Sequence, residues 1–184
     1  GTPFFHDQQI REMQSERSEL ERELYLQALH KTASMSLIQY EVSNFAKADF
    51  QSRSNLKVWD GQPYLGLGCG AHSFDGVNRW GNVRSMRKYM ESVGREEPPR
   101  DFMETPTRLQ QASERLMLSL RRPEGLNILS WQEEFQIGLS LEQKNQMEKL
   151  KDQDLVSWES PILKLTTEGM LLADAITAEL MPEA

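Results

Sequence analysis

Residues 64–74 read Tyr64-Leu65-Gly66-Leu67-Gly68-Cys69-Gly70-Ala71-His72-Ser73-Phe74, and the course of this stretch decides the fold. In an extended chain, side chains alternate between faces. Leu65, Leu67, Cys69 and Ala71 then share one side, and Gly66, Gly68, Gly70 and His72 the other. The first side is expected to pack and the second to be bare backbone. Alternate glycines weaken a strand by lost packing and added entropy, so the close approach of a ligand or of another backbone is their usual justification. A tight bend or a bulge is the alternative. Gly66, Gly68 and Ala71 also satisfy the dinucleotide pattern Gly-x-Gly-x-x-Ala. That pattern needs a helix directly afterward to receive a pyrophosphate, whereas His72-Ser73-Phe74-Asp75-Gly76 is turn-rich and has no helical period, so nucleotide binding is rejected.

Upstream, residues 11–33 are highly charged, but Met13, Leu20, Leu24, Ala28 and Leu29 recur at helical spacing, which predicts a surface helix with a narrow buried stripe. A strand is expected over 37–43, and helix followed by strand suggests an α/β layer. Residues 44–54 have no clear period and read as a loop. Downstream, a short strand is expected within 77–83 and a helix over 84–93. Pro98, Pro99 and Pro106 amid charges mark 94–106 as a linker. Helices follow over 109–120, 128–135 and 141–151. Short strands over 155–158 and 162–165 are then joined by Glu159-Ser160-Pro161, which is hairpin chemistry. Thr166 is a plausible N-cap for a last helix that buries Leu172, Ile176 and Leu180. Three helices, a hairpin and a closing helix make a winged-helix-like module. The fold class is therefore α/β plus α+β, in two domains spanning 1–100 and 101–184.

With 184 residues, 38% hydrophobic and 27% charged, the chain has the balance of a folded globular protein and room for two modules. No apolar run approaches the roughly 18 to 20 residues a membrane helix needs, and no signal peptide is evident, so no integral membrane segment is expected and the chain reads as cytoplasmic. A net charge of −7 without a basic run disfavours nucleic acid. Across residues 105–180, 8 Lys and Arg stand against 12 Asp and Glu, a balance of −4, which argues against DNA binding by the winged-helix-like module. Cys69 is the only cysteine, too few for a disulfide, a structural zinc or an iron–sulfur cluster. The opening Gly1-Thr2-Pro3-Phe4-Phe5 has no methionine and reads as the interior of a longer protein.

Three ordered segments carry a family likeness: Tyr40-Glu41-Val42-Ser43-Asn44-Phe45-Ala46, Ser54-Asn55-Leu56-Lys57-Val58-Trp59, and the glycine-rich run from Tyr64 to Phe74. Together they resemble the oxygen-independent coproporphyrinogen III oxidase-like family, and within it the radical-SAM heme-chaperone (HemW-type) branch. Gly1-Thr2-Pro3 matches a family segment late in the barrel. Residues 116–126 and Leu165-Thr166-Thr167-Glu168-Gly169 are similar to the family's C-terminal domain. The resemblance implies that residues 1–100 are the C-terminal remnant of a partial (β/α) radical-SAM barrel. The missing first strands of that barrel would carry a Cys-x-x-x-Cys-x-x-Cys loop for a 4Fe-4S cluster and S-adenosylmethionine. It further implies that the positions of Leu56, Lys57 and His72 line the cavity where porphyrin and cofactor meet. The heme chaperones share a His-Asn-x-x-Tyr-Trp motif. Here Ser54 and Val58 replace its His and Tyr, while Asn55 and Trp59 remain, and a serine does not ligate heme iron as an imidazole does.

A porphyrin is a flat apolar disc with anionic propionates, suited to a wall without protruding side chains plus a few polar anchors. Gly66, Gly68 and Gly70 are expected to form that wall, with His72 as a candidate heme ligand or propionate contact. Trp59 could stack, and Lys57 or Arg53 could pair with carboxylates. The plainer alternatives are a histidine that holds a loop, a tryptophan in the core and, for Cys69, a small residue on the packed face. Tyr40-Glu41-Val42-Ser43-Asn44-Phe45-Ala46 and Gly70-Ala71-His72-Ser73-Phe74 resemble the chaperone versions of these segments, so the resemblance favours heme delivery over radical decarboxylation, with a heme-acceptor protein as a further partner. The iron–sulfur chemistry belongs to the longer parent, and this stretch alone is expected not to cleave S-adenosylmethionine.

Overall fold

The computed structural model describes the backbone of residues 8–182 and the side chains of residues 19–182. The expected burial of Met13 and the reading of Gly1-Thr2-Pro3-Phe4-Phe5 lie outside the described residues. The fold mixes helices with antiparallel sheets and divides into two compact units, Gly1–Gln51 and Ser52–Ala184.

The first unit holds helix α1 (Gln8–Ser34) and strands β1 (Ile38–Glu41) and β2 (Asn44–Ala46). Ser36, in the left-handed region at φ 60°, turns the chain out of α1. The expected stripe is displaced around the helix. Leu20 and Leu24 are exposed, and the half-buried positions are Tyr25, Leu26, Leu29 and Thr32, again at spacings of three and four. The strand expected over 37–43 stops at Glu41 and turns through Val42-Ser43. It then pairs with Asn44–Ala46, so part of the expected loop is a second strand. Gln39 ties this hairpin to the helix, with Nε2 donating to the Tyr25 hydroxyl and the Val42 carbonyl, each at 3.0 Å. Glu41 is buried, and its Oε1 has no hydrogen-bond partner among the described residues.

The second unit opens with α2 (Arg53–Trp59), whose N-cap Ser52 accepts from the Asn55 amide. An antiparallel sheet follows in the order β3-β4-β5: β3 (His72–Phe74), β4 (Arg79–Asn82) and β5 (Arg100–Glu104). Helix α3 (Met86–Gly94) lies between β4 and β5, starting from N-cap Ser85. The expected linker at 94–106 therefore contains a strand. All five β5 residues are exposed, so the edge strand has no apolar alternation to betray it.

Next come α4 (Arg108–Leu120), β6 (Leu126–Asn127), α5 (Ile128–Phe135), α6 (Leu141–Asp152), β7 (Val156–Glu159), β8 (Ile162–Leu165), α7 (Thr167–Leu171) and α8 (Ala173–Glu179), with the second sheet in the order β6-β8-β7. Helices α4 and α6 start with complete capping boxes, Thr107 with Gln110 and Ser140 with Gln143. Their inner faces, at Ala112, Leu116 and Leu120 on α4 and at Met147 and Leu150 on α6, are buried with Trp131, Phe135, Leu163 and Ile176. The Trp131 indole donates to the Ala112 carbonyl at 3.0 Å, which satisfies its only polar atom inside the core. The last helix differs from expectation. The chain breaks at Leu172, leaving that residue exposed, while Ile176 and Leu180 are buried.

Candidate functional site

The glycine-rich stretch is not a continuous strand. Tyr64 bridges Phe74, with reciprocal backbone hydrogen bonds of 2.8 and 2.9 Å, and the chain between Tyr64 and β3 loops outward. Gly68 (φ 103°) and Gly70 (φ 70°) take backbone conformations that side chains disfavour, and these turns destroy the period of two. Leu65 and Leu67 consequently point into solvent, 70% and 81% exposed, and the packed face expected of them does not form. Cys69 is half-buried rather than buried.

The loop is held through its backbone. The Gly66 amide donates to Ser73 Oγ at 2.9 Å and the Gly68 amide to the Tyr89 hydroxyl at 3.1 Å. Asn82 Nδ2 donates to the Gly68 carbonyl at 2.9 Å and more weakly to that of Gly66 at 3.4 Å. Ser73 and Asn82 are buried. The ladder between β3 and β4 extends into the loop, because the Asn82 amide donates to Ala71 (2.8 Å) and the Gly70 amide to Val83 (3.0 Å). Of the three glycines, Gly66 meets the expectation of close backbone approach, since a Cβ there would lie 2.1 Å from the His72 carbonyl oxygen. A Cβ at Gly68 would meet nothing within 4 Å, so this is the open part of the surface. At Gly70 a Cβ would meet Arg84, whose Cγ lies 3.8 Å away.

His72 is exposed and stands opposite Gly81 in the sheet, and Gly81 stands opposite Phe102. The imidazole and the Phe102 ring meet edge to face with centroids 5.5 Å apart. Gly81 makes this contact feasible, since a Cβ there would fall 2.5 Å from the Phe102 ring. Phe102 belongs to the strand hidden within the expected linker, and only the cross-strand register reveals it as a neighbour of His72.

Asn55, Leu56, Lys57 and Trp59 lie on α2. Lys57 is exposed and the other three are half-buried, so Trp59 is neither a core residue nor a free platform. The C-terminal end of α2 is anchored to α4: Arg115 Nη1 donates to the Asp60 carbonyl at 3.0 Å, and Arg122 pairs with the Asp60 carboxylate. Arg79 binds Glu104 at 2.8 Å and also pairs with Glu114, joining the first sheet to α4. Burial disfavours the Arg79 charge, but the hydrogen bonds and charges of Glu114 and Glu104 outweigh it, and the pKa is raised. A cleft of about 200 Å³ runs beside this pair, lined by Tyr64, Phe74, Val58, Met117 and Leu118 among others, and includes none of the eight expected site residues.

No protein-family model matches the chain. It is 29% identical over 183 residues to the heme chaperone HemW of Bacillus subtilis, covering 99% of this chain and 48% of that protein. HemW of Mycobacterium tuberculosis is 31% identical over 142 residues, 77% of this chain and 34% of the relative. The chain thus spans about half, or less, of the length of these curated relatives. Among solved structures, the radical SAM enzyme coproporphyrinogen III oxidase (HemN) from Escherichia coli shares the fold. Its TM-score is 0.67 at 16% identity, over 85% of this chain and 39% of its own. Aligned with HemW over 99% of this chain though 48% of that relative, and sharing the fold of HemN, the chain is identified as a HemW/HemN-like family member.

Proposed function

We propose that the chain is the C-terminal part of a radical-SAM heme chaperone that binds heme and passes it to an acceptor protein. The alignment over 183 residues with a protein named a heme chaperone carries this reading. Within the chain, the exposed His72 imidazole beside Phe102 supports it: a solvent-facing imidazole can ligate iron, and an adjacent aromatic edge suits a flat tetrapyrrole. A Cβ at Gly68 would meet nothing within 4 Å, so the backbone is open at that point. The likeness of fold to HemN supports a second reading, as the same part of a coproporphyrinogen oxidase.

The 4Fe-4S cluster that the family implies does not fit the residues present. Cys69 is the only cysteine, and among the described residues no three His, Cys, Asp or Glu side chains are grouped to hold a metal. Cluster and S-adenosylmethionine are therefore assigned to the longer parent. In this reading residues 1–100 close a partial barrel and residues 101–184 form a winged-helix-like domain, supported by the order helix, strand, helix, helix and hairpin from α4 to β8. The acidic balance of that domain favours a protein partner over nucleic acid. Among the described residues no helix is long and apolar enough to cross a membrane.

Titration of the 184-residue chain with hemin, followed by the Soret band, tests the proposal. Saturable binding with a shifted band is expected. A spectrum that remains that of free hemin at all ratios would overturn it.

A further inference from the structure

The described ion pairs all involve cations other than Arg84, and among the described residues no carboxylate pairs with it. Its position is nevertheless defined. The side chain is exposed, while its stem lies beside Gly70, with Cγ 3.8 Å from where a Cβ on that glycine would sit. The ladder fixes Gly70 relative to His72. His72 stands opposite Gly81, the Asn82 amide bonds the Ala71 carbonyl, and the Gly70 amide bonds the Val83 carbonyl. Two residues of chain span at most about 7 Å in any conformation. The stem of Arg84, whose guanidinium takes part in no described ion pair, therefore lies within one tetrapyrrole width of an exposed imidazole.

The other arginines from β4 through β5 are committed elsewhere, Arg95 to Glu97 at 2.9 Å among them. Arg79 binds Glu104 and Glu114, Arg87 pairs with Glu91, and Arg100 stacks on Trp80 at 4.7 Å. A guanidinium presents a planar fork that matches a carboxylate, and such charge-assisted bonds are stronger than neutral ones.

We propose that Arg84 is a carboxylate anchor, pairing with a propionate of the tetrapyrrole whose centre faces His72. The proposal rests on the heme-binding reading and deepens it, since it makes the site selective for the free diacid over neutral porphyrins. Arg84 supplies charge and orientation, His72 supplies the ligand to iron, and the two contributions are separable.

The test uses the whole chain and its Arg84→Gln variant, each titrated with hemin, with hemin dimethyl ester, and with iron-free protoporphyrin in its diacid and ester forms. Absorbance and fluorescence quenching report binding. Arg84 is exposed, so the variant keeps the fold, and a circular dichroism melt confirms that before titration. The unaltered chain is expected to prefer the diacid over the ester by about fivefold, the range of an exposed charge-assisted contact, for both the iron and the iron-free porphyrin. Arg84→Gln should remove the preference while leaving ester binding unchanged. Hemin binding with equal affinity for diacid and ester, or a preference that survives in Arg84→Gln, would overturn the anchor and leave the heme reading standing. Failure of the unaltered chain to bind any of the four would overturn the heme reading itself.

Discussion

The imidazole of His72 and the ring of Phe102 meet edge to face at 5.5 Å across Gly81, the residue between them in the sheet. The contact joins β3 to β5 over the middle strand β4. It holds when position 81 carries no side chain, because a Cβ there would intrude to 2.5 Å of the phenyl ring. Three strands thereby set the orientation of one solvent-facing imidazole.

Gly81→Ala is therefore expected to push the Phe102 ring outward, since that ring is 40% exposed and has room to move. The stability loss should stay near 1 kcal/mol, because a flexible side chain yields before the backbone does. The His72 ring-proton shifts, which the aromatic neighbour perturbs, should move toward those of a free histidine in a proton–carbon correlation spectrum. Unchanged shifts would show that Phe102 does not orient the imidazole.

The glycine loop hangs on Asn82, which is buried and donates to the carbonyls of Gly68 and Gly66. Asn82→Ala strands these acceptors and is expected to cost about 1–2 kcal/mol in a denaturant melt. Tyr89→Phe removes only the acceptor for the Gly68 amide and should cost less, with faster hydrogen exchange at Gly68 as its signature. Equal protection of Gly68 in the variant and the parent would contradict this arrangement.

Asp75 closes the turn between β3 and β4. Its carboxyl is held below the ordinary carboxylate range, chiefly by the backbone amide of Asn78, then by that of Val77 and the Asn78 side chain. A depressed folded-state pKa means that the stabilisation is fully present above the ordinary carboxylate range and is lost as pH falls through the folded-state value. Asp75→Ala should therefore melt lower than the parent at neutral pH, and the gap should narrow as the solution is acidified. A gap that stays constant with pH would rule out the ionised carboxylate as its source.

The C-terminal half was largely legible in the sequence. Helix α5, Ile128–Phe135, and strand β8, Ile162–Leu165, fall where periodicity and turn chemistry put them, because Asn127 caps the one and Pro161 precedes the other. The capping Ser and Thr residues before α4 and α6 mark those helices equally well. The glycine-rich run left an extended course and a tight bend both open, because nothing local distinguishes an extended glycine from one at φ 103° or 70°. Strand β5 was hidden by exposure: a chain edge whose residues all face water shows no alternation. Helix α2 was missed because it has only seven residues and no buried face. At the proposed site, the glycines around His72 single it out in the sequence. Phe102, thirty positions away, enters only through sheet register, and Arg84 only through its nearness to Gly70.

A single cysteine cannot hold a 4Fe-4S cluster. After anaerobic iron and sulfide reconstitution, the 184-residue chain is accordingly expected to show no cluster absorbance and no reductive cleavage of S-adenosylmethionine above a buffer control. Formation of deoxyadenosine above that control would contradict the assignment of this chemistry to the longer parent.

Hemin titrations of the parent chain, His72→Ala and Cys69→Ala under reducing conditions, read at the Soret band, bear most directly on the site. His72→Ala should lose the shifted band and weaken binding by about tenfold or more, as expected for removal of an axial ligand, while Cys69→Ala should match the parent. Identical spectra and affinities for the two variants would take His72 out of the site and leave the fold without the heme-binding surface assigned to it.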